Sequence, residues 1–430
     1  MDETHHPIQL PLLLPSKIKR SFSFLFFFFP TSILLLLILL LLACNGVSIF
    51  CLRLDSLVPT KPISSFPKSS SFLYAVEEQI PPALNKTHQS LQLSFAPSNA
   101  SSSSRRLQKW PSSNRPVLKI LQQTPRSRRF SARAKEFFGG SSSACSIRFF
   151  MTWISSLESF GRRELFAVES IFKSHPNACL LIISSSMDST RGARLLRPFS
   201  SQGFRVSAIS PDFASIFKDT GAEVWFNKLK NGNVNPGEVP LGQNLSNLLR
   251  LAVLYKFGGI YIDTDIIVMK SFSSLRNVIG AQTIDVETGN WSRLNNAVMV
   301  FDKKHPLLYK FIKEFTLTFD GNKWGHNGPY LVSRVVSRLE RKPGFDFTVL
   351  RPTAFYPVVW SRIRSLFHGP RDKGHSKWAK GKLAQIRKES FAIHLWNRQS
   401  RRLKVEEGSV IGRVMLDCCI FCNSSLVSSL

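Results

Sequence analysis

Asp263 and Asp265 stand one residue apart in "KFGGIYIDTDIIV" (residues 256 to 268), behind a Gly258-Gly259 break and between two apolar runs. In a strand, residues two apart point to the same side, so both carboxylates would face one way and Thr264 the other. Two like charges that close repel, and a buried carboxylate is costly unless something positive neutralises it. A divalent cation does this. Hard oxygen ligands suit Mn2+, with Mg2+ as the other option, and such ions keep positions open for substrate phosphates. The strand end would then hold a diphosphate through a metal bridge. Spacing alone also admits a pair of exposed aspartates at a turn.

Other chemistry-bearing residues lie on either side. Upstream, "LGQNLSNLLRLAVLYKFGG" reads as a helix with capping candidates at Asn244 and Ser246 and a glycine stop. Asn247 and Arg250 are three apart and so neighbour each other on one face. Downstream, Asn327, Gly328 and Pro329 read as a helix start in "WGHNGPYLVSRVVSRL", with Leu331, Val332, Val335, Val336 and Leu339 on the buried face. The N–H groups of such a terminus favour an anion or sugar hydroxyls. His326 just before it is either a loop histidine or a catalytic one. His394 follows an apolar strand in "FAIHLWN" and is either a core histidine or a ligand. Trp153, at the end of another strand, could stack on a base or belong to the core.

The elements that must position these residues alternate in type. "CSIRFFMTW" reads as a strand, then "RRELFAVESIFKSHP" as a helix with Leu165, Phe166, Ile171 and Phe172 on one face, stopped by Pro176. "ACLLIISS" and "GFRVSAIS" follow as buried strands. Such alternation predicts an α/β fold with a largely parallel sheet covered on both faces. A phosphatase of the haloacid dehalogenase type also carries a strand-end Asp-x-Asp. That signature opens a domain and continues with Thr or Val where this chain has Ile267.

The 430 residues divide into four parts: a cytoplasmic tail (1–20), a transmembrane signal anchor (21–50), a Ser/Pro-rich basic stem (51–143) and a globular catalytic domain (144–430). No charge interrupts Ser21 to Leu52, and the Leu/Ile run there is long enough for a bilayer crossing of roughly 20 residues. A cleavable signal peptide has a shorter apolar core of about 7 to 15 residues and a small-x-small site, which is not evident after Ala43. Lys17, Lys19 and Arg20 precede the run, so the positive-inside rule makes the rest luminal. Glycosylation triplets at Asn85, Asn99, Asn244, Asn290 and Asn423 agree with a lumen. The luminal cysteines are Cys145, Cys179, Cys418, Cys419 and Cys422, so at least one is unpaired within a monomer. Cys419-x-x-Cys422 lacks a second pair and reads as a terminal disulfide or free thiols.

A net charge of +29 asks for an acidic partner. Basic clusters run from Arg105 to Lys135 and from Arg362 to Arg402, and the Ser/Pro richness around the first predicts a solvated stem. For a luminal protein the partner is an anionic membrane surface, a phosphorylated ligand or an acidic glycan rather than nucleic acid.

"NLSNLLRLAVLYKFGGIYIDTDIIVMKSF" strongly resembles the D-x-D region of the alpha-1,4-glycosyltransferase family, in the manner of a plant member. "RLNNAVMVFDKKHP", "WGHNGPYLVSRV", "AFYPVVW" and "FAIHLWN" resemble the family's later blocks in the same order, roughly from residue 145 to 415. The resemblance implies a GT-A nucleotide-sugar fold, a UDP-linked hexose donor, Mn2+, a glycan or glycolipid acceptor, transfer with retention, and a single-pass type II Golgi membrane protein. It makes Asp263 and Asp265 the metal and diphosphate aspartates, with His394 as third metal ligand. Arg250 becomes a helix arginine facing the donor, and Asn247 stands where relatives commonly have Asp. Asn295, ahead of the next strand, and Trp153 are drawn toward the donor, and His326, Asn327 and Gly328 toward an acceptor or donor sugar. The other reading is a catalytically silent relative that binds glycans or scaffolds partners. The oligomeric state is not legible.

Overall fold

The computed structural model describes residues 119–139 and 145–422. Its main sheet holds β1 (Arg148–Thr152), β2 (Cys179–Ile183), β3 (Arg205–Ile209), β4 (Gly259–Ile262), β6 (Val278–Ile284), β7 (Trp291–Phe301) and β8 (Thr348–Leu350). The spatial order is β3-β2-β1-β4-β7-β6-β8. The ladders are parallel except where β7 meets β4 and β6. Two further strands, β5 (Ile266–Val268) and β9 (Ala392–His394), pair antiparallel in a small second sheet.

Alternation along the strands builds a core on each face. Phe149, Met151, Leu180, Ile182, Ile260 and Ile262 point into one cluster, shared with α2 (Arg162–Ser174), α3 (Thr190–Ser200) and the later α9 (Val410–Cys418). Phe150, Leu181, Ile183 and Tyr261 point into the other, against α5 (Leu241–Phe257), α6 (Pro306–Thr318) and α7 (Pro329–Leu339). The remaining longer helices are α1 (Phe130–Gly139), α4 (Gly221–Lys230) and α8 (Lys373–Glu389). The mostly parallel sheet with helices on both faces is the architecture that the alternating pattern implies.

Three details depart from the sequence reading. First, α5 begins at Leu241 behind Pro240, so Asn244 and Ser246 lie inside the helix instead of capping it. Asn244 is 2% exposed, which removes it as a glycan acceptor. Second, the folded domain reaches upstream of residue 144. Leu121, Phe130 and Ala134 are buried in the α5-side core, and Arg133 makes two hydrogen bonds to Asp188, at 2.6 and 2.9 Å. The Ser/Pro and Arg content around "FSARAKEFF" hid an amphipathic helix inside the expected stem. Third, Asp263 and Asp265 are not in one strand, as described below.

Gly258 and Gly259 adopt φ values of 64° and 121°. A Cβ on Gly258 would come within 2.6 Å of the Lys303 nitrogen, and one on Gly259 within 2.6 Å of the Arg148 carbonyl. Only glycine permits both the left-handed turn and this approach, and the turn delivers β4 between β1 and β7. Cys145 is disulfide-bonded to Cys179 and Cys419 to Cys422. Cys418 is the free cysteine among the described residues, and burial pushes its thiol up to about 12. No helix among the described residues is long and apolar enough to cross a membrane. The expected anchor at 21–50 lies outside them.

Candidate active site

The backbone leaves β4 at Ile262, and the Asp263 N–H donates to the Ala297 carbonyl at 2.8 Å. The Ile266 N–H then donates to the Asp263 carbonyl at 3.1 Å, closing a turn that hands the chain to β5. The two aspartates therefore sit on a turn between two sheets rather than on one face of a strand. The turn lies at the carboxyl ends of the parallel strands β1 and β4, where open α/β sheets bind their ligands.

Asp263 faces α5. Arg250 reaches its two oxygens at 3.1 and 3.0 Å, and the Tyr261 hydroxyl donates to Oδ1 at 2.8 Å. Arg250 is 2% exposed, and its guanidinium also donates to the Asn296 carbonyl at 2.8 Å and to Ser246 Oγ at 3.1 Å. Its centre lies 4.5 Å from the Tyr261 ring centroid. Burial pulls its pKa down, but the Asp263 charge outweighs that and leaves it raised, so the side chain stays cationic. The expected donor-facing arginine is thus turned inward, where it holds Asp263. Tyr261 sits two residues before Asp263, next to the last residue of β4. Its hydroxyl also hydrogen-bonds with Thr152 Oγ1 at 2.8 Å, and burial raises its pKa, keeping it a neutral donor.

Asp265 faces β9. His394 Nε2 lies 3.2 Å from Asp265 Oδ2, and the Asn397 N–H donates to the same oxygen at 2.9 Å. The Leu395 N–H donates to the Asp265 carbonyl at 2.9 Å. Trp396 supplies the bend at φ 54°, a left-handed value rare for a bulky residue, while its indole N–H donates to the Val358 carbonyl at 2.9 Å. Burial pushes the Asp265 carboxyl up; the His394 charge and hydrogen bond, with the Asn397 N–H, bring it net below the usual carboxylate range.

Two ligands about 2.1 Å from an octahedral cation stand about 3 Å apart, so a carboxylate oxygen and an imidazole nitrogen at 3.2 Å fit a shared divalent ion. Asp265 and His394 would hold it, leaving further positions for phosphate and water. Among the described residues no three His, Cys, Asp or Glu side chains gather closely enough for a metal site. The expected trio resolves into Asp265 with His394, and Asp263 with Arg250.

Several of the remaining candidates are committed to the protein interior. Asn247 accepts from Asn296 Nδ2 at 3.0 Å, and a Cβ on Gly328 would stand 2.8 Å from Asn247 Oδ1. Asn295 lies within β7 rather than ahead of it, donating to Gln282 at 2.9 Å and accepting from the Ala297 N–H at 2.9 Å. The β6–β7 register breaks at this point, since Gly280 pairs with Asn295 while Ile279 pairs with Met299. That bulge aims the Asn296 carbonyl at Arg250. Asn327 is 1% exposed and donates to Asn244 at 2.9 Å, and His326 Nε2 meets the Thr318 carbonyl at 2.8 Å. Trp153 packs edge-on against Phe160, ring centroids 5.0 Å apart, and donates to the Ser156 carbonyl at 3.0 Å. A cavity of about 380 Å3 opens at the opposite ends of β1 and β4, near Arg148 and Gly259, and none of the candidate residues lines it.

Tyr261, Trp396 and Asn397 were missed by sequence reasoning. Strand alternation from Asp263 would have pointed to Tyr261, and adjacency to His394 to the other two.

Comparison with known proteins bears on this arrangement. Residues 161–284, which include both aspartates, match the glycosyltransferase sugar-binding region containing the DXD motif. Residues 300–426, which include His394, match the alpha 1,4-glycosyltransferase conserved region. An uncharacterized protein of Arabidopsis thaliana is 32% identical over 293 residues, 66% of this chain and 43% of that protein. The lactosylceramide 4-alpha-galactosyltransferase of Rattus norvegicus is 31% identical over 56% of this chain and 65% of its own length. That of Pongo pygmaeus is 30% identical over 47% of this chain and 88% of its own length. The chain thus spans under two thirds of the first two relatives' lengths. The solved galactosyltransferase LgtC, in complex with donor and acceptor sugar analogs, superposes at a TM-score of 0.35 and 10% identity, over 66% of this chain and all of that one. With both family regions present in order and the D-x-D turn set at the carboxyl ends of a mostly parallel sheet, the chain belongs to the alpha-1,4-glycosyltransferase family and has an α/β fold.

Proposed function

We propose that the protein is a metal-dependent hexosyltransferase. It moves a sugar from a nucleoside-diphosphate donor, UDP-linked, to a glycan or glycolipid hydroxyl with retention, as a type II Golgi membrane protein with its catalytic domain in the lumen. The observation that carries this is the Asp265–His394 pair, a carboxylate and an imidazole 3.2 Å apart at the carboxyl ends of the parallel strands. Mn2+, or Mg2+ in its place, would supply Lewis-acid compensation for the departing diphosphate. The chain's own residues do the positioning. Arg250 and Tyr261 hold Asp263 in one orientation, and the Leu395 and Asn397 amides hold the backbone and side chain of Asp265 against His394. Transfer of galactose to a glycolipid would follow the name of the lactosylceramide 4-alpha-galactosyltransferase relatives.

The test is nucleotide release by the full-length chain from UDP-galactose, UDP-glucose and UDP-N-acetylglucosamine, with and without Mn2+. Release that requires Mn2+ and disappears in Asp265→Asn is the expected result. If none of the donors releases nucleotide and UDP does not bind, the transferase reading fails. A catalytically silent glycan-binding relative then takes its place. The inward commitment of Asn247 and Arg250 is what favours that second reading.

A further inference from the structure

The loop ahead of α7 is tethered by hydrogen bonds, yet it holds a tryptophan in solvent. His326 and Asn327 are hydrogen-bonded to the Thr318 and Asp320 carbonyls, both at 2.8 Å, and Gly328 is packed against Asn247. On this pinned backbone Trp324 remains 52% exposed. The indole thus keeps about half of its surface open to a ligand, with an apolar face and a polar N–H. The Arg398 guanidinium lies 4.3 Å from its ring centroid. Arg398 directly follows Asn397, whose N–H is on Asp265, so the Trp324–Arg398 pair is tied through one peptide unit to the candidate cation site. Beside it, Tyr330 is 36% exposed, packs over Gly325, and has the Arg293 guanidinium 4.7 Å from its ring centroid.

Two aromatic rings, each accompanied by a guanidinium, match the two-sided chemistry of a pyranose. The sugar's C–H face packs on an indole, and its hydroxyls accept from the planar donors of arginine. Cation–π contact with Arg398 holds the indole in place before any ligand arrives. We propose that Trp324 and Arg398 form the acceptor subsite, stacking the terminal hexopyranose of a glycan on the indole face that Arg398 does not cover, while the N–H groups of Arg398 at the ring edge donate to its hydroxyls. Tyr330 extends the platform toward the next sugar. This assignment rests on the transferase reading above.

The experiment uses the full-length chain in detergent, loaded with UDP and Mn2+. The chain is applied to an array of defined glycans ending in galactose, glucose, N-acetylglucosamine or sialic acid, and UDP affinity is measured separately by calorimetry. Trp324→Ala should weaken binding to the recognised glycans about tenfold, the loss of one stacking contact. Trp324→Phe should restore most of it, and Arg398→Gln should weaken binding without altering thermal melting. UDP affinity should be the same in all variants. No glycan binding by the wild type, undiminished binding by Trp324→Ala, or an equal loss of UDP affinity would each overturn the subsite. Trp324-dependent glycan binding without nucleotide-sugar turnover would keep Trp324 as a glycan contact but remove the transferase reading and with it the acceptor role, so the two failures are distinguishable.

Discussion

Asp265 is held from three directions, and a change at this one carboxylate separates cation binding from folding. Asp265→Asn keeps an acceptor for the Asn397 N–H and loses the carboxylate's contact with His394. The fold should persist with a loss of about 1 to 3 kcal/mol. Mn2+-dependent UDP binding should be abolished in calorimetry, since an amide is a poor ligand for a hard cation. Equal Mn2+ dependence in wild type and variant would remove the metal reading. Tyr261→Phe works on the other aspartate. It deletes a buried hydroxyl that joins Thr152 to Asp263, so melting should show a loss of about 1 to 2 kcal/mol. Little of this was legible in the sequence. Helical spacing placed Asn247 and Arg250 on one face of α5, yet spacing carries no information about depth, and both point into the protein. His394 was legible only because its block resembles a family block; its partner became visible once β5 and β9 were seen to pair.

At the scale of elements, α1 is fastened to the domain by a half-buried ion pair, Arg133 with Asp188. Burial pushes the Asp188 carboxyl up, but the Arg133 hydrogen bonds and the Ser210 N–H bring it net below its ordinary value. A group whose folded pKa is depressed contributes stability above its unfolded value and loses it as pH falls through the folded one. Denaturant midpoints should therefore fall on acidification below about pH 4, and Asp188→Asn should flatten that dependence while costing about 2 kcal/mol at neutral pH. A pH profile identical to wild type would show that α1 is held by Phe130 and Ala134 alone. The Gly258 turn gives a second test. Gly258→Ala forces a Cβ to within 2.6 Å of the Lys303 nitrogen at φ 64°, and should destabilise by about 2 kcal/mol or more in chemical denaturation. These turn residues were legible because Gly-Gly before an apolar run has few other uses. The docking of α1 was not, because charge and serine content describe a surface without saying what the opposite face covers.

The whole molecule combines a folded domain with an uncharged run near its start and a net charge of +29. Protease treatment of sealed Golgi vesicles should leave the C-terminus intact until detergent is added; digestion without detergent would refute a luminal domain. The α/β architecture was legible because buried parallel strands read as unbroken apolar runs between amphipathic helices. The small second sheet was not, since three-residue strands carry too little pattern to separate from a turn. Its existence has a consequence for time rather than for shape. The two aspartates are rooted in different sheets, one central to the fold and the other a ladder of three residue pairs. Such a short ladder opens more readily than a seven-stranded sheet, and each opening releases the amides of Leu395 and Asn397 from Asp265. In hydrogen exchange those two amides should therefore lose protection well before Ile260 and Ile262, and the lifetime of the intact D-x-D turn should be set by how often β9 lets go.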